Sequence, residues 1–515
     1  MVRRVAVVGA GSSGLTALKC CLEEGLEPTC FERGEDIGGL WRFQEHDIEG
    51  QASIYKSLTI NTSKEMMTYS DFPIPEDFPN YMHHSKVMEY FRMYVKRFDL
   101  LRHIRFKARV CHIRKCPDFA VTGQWKVTTE VHGKQESATF DAVLVCTGHH
   151  IDPYFPLDLF PGIEKYKGEI IHSREYKEPA KFQSRRVLVI GLGNSGADIA
   201  VDLSHATKQV FLSTRTGSWV VNRVSDDGYP LDVVHFTRFR NLLYHTLPKA
   251  LVNFWGESKL NMRFNHANYG LKTAEKPKFA RSDDLPNAII AGRVLMRPQV
   301  KEFTERGVIF EDGSREENVD VVIFATGYTF SFPFLEEGIV SKRGNQTPLY
   351  KFVFPPHLEK PTLALIGLLQ PLGAIMPISE LQARWATRVF KGKREQRGIP
   401  PKLRHHVFLQ VQFVDHMDEL AELSGVKPSL LRLLLMDPVL AWEVFFGPCS
   451  PMQFRLTGPG KWEGARCAIL GQKARIIKAT KTRAPQTAAA VPSVPSLCIR
   501  ALGCVALTAL LFAFL

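Results

Sequence analysis

The sequence predicts an α/β fold with two Rossmann-like dinucleotide-binding domains, the second inserted in the first, and a C-terminal hydrophobic anchor helix. Three observations predict it. Gly9, Gly11 and Gly14 form a glycine turn directly after the apolar run 5–8. Gly191, Gly193 and Gly196 repeat that spacing after the run 187–190. The stretch 497–515 carries Arg500 as its only charged side chain. As a helix it would rise about 28 Å, close to the thickness of a bilayer's hydrocarbon core.

The first turn is read in chain order. Residues 5–8 alternate little, as a parallel strand buried on both faces does. Gly9 permits the tight turn, Gly11 the approach of a pyrophosphate, and Gly14 close packing of helix on strand. Ser12 and Ser13 open that helix, whose free amides face the phosphates. Glu32 ends the next strand, where a carboxylate accepts hydrogen bonds from an adenosine ribose. An acid there suits FAD or NAD and disfavours a 2′-phosphate. Gly38, Gly39, Leu40 and Trp41 follow closely, and paired glycines there suggest backbone packed on a cofactor.

The second turn, with Ser195 between its last two glycines, repeats the logic up to its following strand, 209–214. No acid ends that strand. Arg215 stands there instead, and its planar fork suits a ribose 2′-phosphate. Arg223 is a possible second contact. The contrast assigns FAD to the first site and NADPH to the second. Residues 143–148 and 321–327 are matching apolar strands that end in Thr-Gly, with Asp141 and Asp320 placed alike before them. They mark the domain crossings.

The expected organisation is an FAD-binding domain over 1–155 and 328–445 and an NADPH-binding domain over 156–327. An aromatic-rich insert, 228–287, covers a substrate route, contacts membrane or packs as a helical subdomain. Residues 302–313 read as a hairpin. A C-terminal body segment (446–484), an Ala/Pro/Ser-rich linker (485–496) and the anchor (497–515) complete the chain.

Composition narrows the function. The 515 residues are 45% hydrophobic and 23% charged, as a globular chain is. Ten cysteines are too few for a disulfide scaffold, and Cys20, Cys21 and Cys146 read as buried thiols. The net charge of +13 comes without a basic helix or aromatic-interleaved stripe, which argues against nucleic acid. An anionic cofactor and an anionic membrane surface account for its sign, with Lys473, Arg475, Lys478, Lys481 and Arg483 near the anchor. Cys111 and Cys116 lie too far from the first fold to be a redox pair. The Asn61-Thr62-Ser63 sequon would sit in the cytosol. No histidine spacing suggests a metal.

The chain resembles the animal microsomal flavin-containing monooxygenases over essentially its whole length. Tyr166-Lys167-Gly168-Glu169-Ile170-Ile171-His172-Ser173-Arg174-Glu175-Tyr176 matches the family's identifying pattern, with Tyr for Phe at its first position. Residues 61–65, Asp71-Phe72-Pro73, 325–328 and 445–448 continue the likeness. The resemblance implies NADPH- and O2-dependent oxygenation of soft nitrogen and sulfur atoms in small lipophilic amines and sulfides, through a C4a-hydroperoxyflavin. Baeyer–Villiger oxygenation of ketones, or NADPH oxidase activity releasing hydrogen peroxide, is the alternative. It also implies an endoplasmic reticulum membrane protein with a cytosolic catalytic body, membrane lipid as a partner, and room for a homo-oligomer. Asn61, beside the flavin with Thr62, is the first catalytic candidate; Asn194, inside the second turn, is the second. His172 reads as organising the domain junction.

Overall fold

The computed structural model describes residues 2–271, 278–340, 349–393 and 410–483. The run Arg4–Val8 becomes the central strand of a five-stranded parallel sheet. Its order is Leu363–Leu365, Ala142–Val145, Arg4–Val8, Glu27–Phe31, Ile104–Arg105. Successive side chains of a strand point to opposite faces. Val5 and Val7 accordingly join the core that holds helix Ser12–Glu23, whereas Ala6 and Val8 join a second core with Ile113, Trp125 and Val127. Those three residues belong to an antiparallel sheet, Ala108–Lys115, Trp125–Val131 and Lys134–Phe140, which covers the other face. Burial on both faces is why the strand reads as unbroken apolar sequence.

The run Arg186–Ile190 builds a second parallel sheet the same way. Its order is Val294–Arg297, Gln209–Ser213, Arg186–Ile190, Val321–Phe324, Glu169–His172. Val187 and Val189 pack with Ala197, Ile199 and Leu203 of helix Asn194–Leu203. Leu188 and Ile190 pack on Val300, Phe303, Val308 and Phe310. The hairpin expected over 302–313 is the first turn of that covering sheet, in which Val300–Phe303 pairs antiparallel with Gly307–Phe310. Asp141 and Asp320 are structural equivalents: Asp141 accepts the Arg3 and Arg4 amides, and Asp320 accepts the Arg186 amide.

After the second sheet the chain returns to the first, where Leu363–Leu365 pairs beside Ala142–Val145 and helix Ile375–Phe390 packs on helix Ser12–Glu23. A buried ionic cluster locks this return. Glu380, 1% exposed, accepts the Ser70 amide at 2.7 Å and an Arg455 guanidinium at 2.8 Å. Arg455 also reaches Asp71 at 3.2 Å, and Asp71 pairs with Lys19 on helix Ser12–Glu23. The insert folds as helices Leu231–His235, Arg238–Thr246 and Lys249–Arg263. Phe239 packs on Phe445 and Phe446, and Phe236 on Phe413. The insert therefore lies against the C-terminal body rather than standing apart.

The expected anchor helix, the membrane-lipid partner, the membrane location and the membrane-facing basic cluster are not borne out. Among the described residues no helix is long and apolar enough to cross a membrane. The linker 485–496 and the tail 497–515 lie outside the described residues. The fold class is therefore α/β without a demonstrated anchor helix. Membrane lipid as a partner, and the endoplasmic reticulum membrane as the location, lose the spanning helix on which both rested. The basic cluster has an internal explanation. Lys473 pairs with Glu443 at 3.1 Å, Arg475 with Glu65 at 2.6 Å, and Lys478 with Glu76. These charges hold helix Ala465–Lys478 to the body instead of forming a free cationic patch. The thiol reading holds: Cys20, Cys21 and Cys146 are buried and free, and Cys111 and Cys116 are free.

Two stability predictions follow from this packing. A methyl group at Gly14 would sit 1.8 Å from the Gly9 carbonyl oxygen, whereas one at Gly256, in an open helix interior, meets nothing within 4 Å. Gly14→Ala is expected to cost about 1–3 kcal/mol through overpacking, and Gly256→Ala to gain up to about 1 kcal/mol from helix propensity. Denaturant unfolding that ranks them the other way would overturn this packing account. Burial alone would raise the Glu380 carboxyl, but Arg455, Lys19 and Arg384 outweigh it and hold it down at about 2. A depressed carboxyl stabilises the fold above its unfolded value, about 4.3, and that stability is lost as pH falls from there through about 2. Glu380→Ala should cost about 3–5 kcal/mol at pH 7 by breaking a buried pair. Melting curves should show the gap between variant and parent closing between pH 5 and pH 2; a constant gap would contradict the linkage.

Candidate functional site

Each glycine turn is held by three backbone approaches. Gly9 has φ +99° and Gly191 φ +110°, and a side chain on either would strike the neighbouring strand's exit, at the Cys146 carbonyl (2.8 Å) and the Ala325 carbonyl (2.5 Å) respectively. The Gly9 amide donates to Phe31 O and the Gly191 amide to Ser213 O, both at 2.9 Å, so each turn also leans on its second strand. Gly14 and Gly196 then bring the helices down onto the turns. Gly11 and Gly193 stand at the helix N-caps, neither helix has a capping side chain, and neither carries an acid in its first turn. Two sets of free amides, each at the positive end of a helix dipole, are thus left for anions. A Cβ on Gly193 would meet nothing within 4 Å, so the approach to the second turn is open.

Around the first turn, Gly39 lies against Gly11, with a would-be Cβ 3.0 Å from the Gly11 Cα. Gly39, Leu40 and Trp41 form a short 3-10 turn over the site, with Trp41 partly buried on the core. Ser12 accepts the Tyr69 hydroxyl through its carbonyl, and the Ser13 hydroxyl meets Ser379 at 3.0 Å. Glu32 accepts the Ala10 and Gly34 amides, one on each oxygen, both at 2.7 Å. An ionised carboxylate has about four acceptor sites, so capacity remains for ribose hydroxyls.

Around the second turn, Arg215 follows strand Gln209–Ser213, is exposed, and makes no hydrogen bond or ion pair with a described residue. Arg223 is placed differently. Its side chain pairs with Asp283 at 3.2 Å, and its amide bonds the same carboxylate. Ser195 lies in the first turn of helix Asn194–Leu203. The donor set of both turns fits dinucleotides: free helix amides, an acid at one second-strand end and, at the other, an arginine with no partner among the described residues.

Between the turns, the structure joins Asn61 and Asn194 through a residue that sequence reasoning missed. Arg281 donates from its guanidinium to the Asn61 carbonyl at 2.8 Å, and its own amide donates to the Asn194 side-chain oxygen at 2.9 Å. Arg281 ends strand Phe279–Arg281, which pairs parallel with Trp219–Val221. That pairing joins distant segments and has no local signature. Next to Asn61, Thr62 and Ser63 are buried, and the Ser63 amide donates to Asp232 at 2.7 Å. Burial raises the Asp232 carboxyl, opposed by the Arg281 charge. Burial likewise raises Asp198, on the second helix, to about 6; it accepts the Tyr55 hydroxyl at 2.6 Å.

The segment 166–176 pins the outer strand of the second sheet. The Tyr166 hydroxyl donates to Val319 O, and the Tyr176 hydroxyl to Asp202. Gly168 is required because a side chain there would strike the Tyr166 ring. The His172 ring accepts the Arg174 amide at Nδ1 and so donates from Nε2 to Gly327 O at 3.1 Å. Burial lowers it to about 4, leaving it neutral with both nitrogens engaged.

With this geometry in hand, the comparisons are specific. The model of the family described as flavin-binding monooxygenase-like matches residues 2–515. Dimethylaniline monooxygenase (N-oxide-forming) 2 of Macaca mulatta is 53% identical over 531 residues, covering 99% of each chain. Flavin-containing monooxygenase 5 of Oryctolagus cuniculus is 56% identical over 512 residues, covering 95% of this chain and 96% of the relative. Among solved structures, the S-allyl-L-cysteine S-oxygenase of Allium sativum superposes with a TM-score of 0.62 at 24% identity, covering 93% of this chain and 99% of the other. Cyclohexanone monooxygenase does so with a TM-score of 0.57 at 19% identity, covering 82% and 98%. Both of these show the fold alone. The two dinucleotide turns and the match over the whole chain lead to one conclusion: this protein belongs to the flavin-binding monooxygenase-like family and is an FAD- and NADPH-dependent monooxygenase.

Proposed function

We propose that the enzyme oxygenates soft nitrogen and sulfur atoms of small lipophilic molecules to N-oxides and S-oxides, with FAD at the first turn and NADPH at the second. The observation that carries the site assignment is the contrast between Glu32 and Arg215, which has no partner among the described residues, at matching second-strand ends. A relative named as N-oxide-forming, dimethylaniline monooxygenase 2 of Macaca mulatta, supports the substrate class. Residues 1–155 and 328–445 are assigned to the FAD-binding domain and 156–327 to the NADPH-binding domain.

When bound and reduced, the flavin supplies the oxygen-activating chemistry. The chain's own residues bind and orient. The helix amides at Ser12–Ser13 and Asn194–Ser195 hold pyrophosphates, Glu32 accepts ribose hydroxyls, and Arg215 clamps a 2′-phosphate. Asn61 has an amide with no hydrogen bond to a described residue, so it is available to donate to the reacting centre. Arg281 fixes its backbone. Arg223, already paired with Asp283, acts through the loop it holds.

Product analysis tests the substrate class. Incubation with a tertiary amine, a thioether and a cyclic ketone should give N-oxide and S-oxide; ester as the main product would favour the Baeyer–Villiger reading. Arg215→Ala should raise KM for NADPH about 10–100-fold, the loss of one charged phosphate contact. KM for NADH should stay within about threefold. Equal effects on both nucleotides would remove Arg215 from the 2′-phosphate. Asn61→Ala should retain FAD and still accept hydride, but divert NADPH turnover to hydrogen peroxide, because one donor to the reacting centre, worth about 1–4 kcal/mol, is lost. Peroxide and N-oxide measured in parallel decide it; unchanged coupling would make Asn61 a structural residue.

A further inference from the structure

Two segments leave the two sheets beside their glycine turns and meet. One follows strand Ala142–Val145, the other strand Val321–Phe324. Asp152–Pro153 pairs antiparallel with Tyr328–Thr329. The Tyr154 amide donates to Gly327 O at 2.9 Å, and the Thr326 hydroxyl donates back to Tyr154 O at 2.6 Å.

A continuous run of rings crosses this junction. The His149 and His150 centroids are 4.2 Å apart, His150 and Tyr328 5.4 Å, and Tyr328 and His172 5.3 Å. Each end is tied to a different nucleotide turn. His149 lies near the Gly367 backbone, and Gly367 lies so close to Ser13 that a Cβ there would be 2.3 Å from the Ser13 hydroxyl. His172 bonds Gly327, two residues beyond the Ala325 carbonyl on which Gly191 rests. The Nε2 of His149 is buried with no partner among the described residues, so this end has a polar atom unspent beside the first turn. Burial lowers His149, His150 and His172 to about 4, 3 and 4, so the rings meet uncharged at neutral pH, tilted or edge-on to one another.

We propose that His149, His150, Tyr328 and His172 form a positioning column that fixes the angle between the two dinucleotide sites and so sets how the nicotinamide meets the flavin. The inference rests on the assignment of FAD to the first turn and NADPH to the second. Hydride transfer depends steeply on such alignment: a misplacement of about 1 Å costs on the order of 100-fold in rate. The column is mechanical. Its rings act by packing, and its imidazoles move no proton.

The test compares removal of a ring with its conservative replacement in the FAD-loaded full chain. Tyr328→Ala and His150→Ala should bind NADP+ within about threefold of the parent by calorimetry. The difference spectrum that NADP+ induces in the oxidised flavin should fall by at least half, and anaerobic flavin reduction at saturating NADPH should slow at least tenfold. Tyr328→Phe and His150→Phe, which keep a ring, should recover most of both signals. Parent-like spectra and rates in the alanine variants would overturn the column. So would phenylalanine variants as impaired as the alanine ones, because imidazole or hydroxyl chemistry would then be responsible. A change in NADP+ affinity as large as the change in rate would overturn it in favour of ordinary binding-site damage. If the parent itself showed no NADP+-induced flavin spectrum, the two-site assignment would fall, and the column with it.

Discussion

At Gly14 a methyl group would sit 1.8 Å from the Gly9 carbonyl oxygen, and at Gly196 it would sit 2.0 Å from the Gly191 carbonyl oxygen. No side chain survives that approach, so both helices begin directly over the strands that feed them. This closeness aims the free helix amides at one point above each sheet. It also presses Gly9 and Gly191 onto the exits of strands Ala142–Val145 and Val321–Phe324. The two crossing segments start from those exits, and the relation between the two sites is built on them.

Because the same constraint is applied twice, the differences between the copies carry the chemistry. Both sheets are covered by helix on one face and a three-stranded antiparallel sheet on the other. Both first strands are capped by an aspartate. The copies part at the ends of their second strands. Glu32 is satisfied by two amides of its own fold and would repel a phosphate; Arg215 has no described partner to lose when a phosphate arrives. A phosphate at Arg223 would have to compete with Asp283 for the guanidinium, whereas Arg215 has no described partner to displace. The ion pair with Asp283 therefore makes Arg223 the weaker phosphate ligand of the two.

What the sequence made legible was local. Glycine spacing, buried strand runs, the residue ending each second strand and the 302–313 hairpin all follow from short-range sterics and hydrophobic pattern. Arg281 was not legible, because its role arises from a three-residue strand paired across about 60 residues of helical insert. The Glu380–Arg455 pair was equally hidden: a single charge in an apolar run does not name its partner, and four separate segments, carrying Lys19, Asp71, Glu380 and Arg455, meet there. The basic residues near 473–478 misled for the same reason. In sequence they form a cluster of positive charge; in the fold each of Lys473, Arg475 and Lys478 faces its own carboxylate.

The distribution of titratable groups fits a site that orients rather than exchanges protons. His172, the histidine inside the family's identifying pattern, is the natural candidate for a base. Yet it is 1% exposed, held neutral, and has its Nδ1 accepting from Arg174 and its Nε2 donating to Gly327. A base needs a free lone pair within reach of a proton to take, and His172 has already used its own. The groups at the junction of the turns are instead an amide side chain at Asn61, another at Asn194, and Arg281 between them. Their common property is that each carries N–H donors, which suits a centre where the cofactor performs the reaction and the protein keeps its parts aligned.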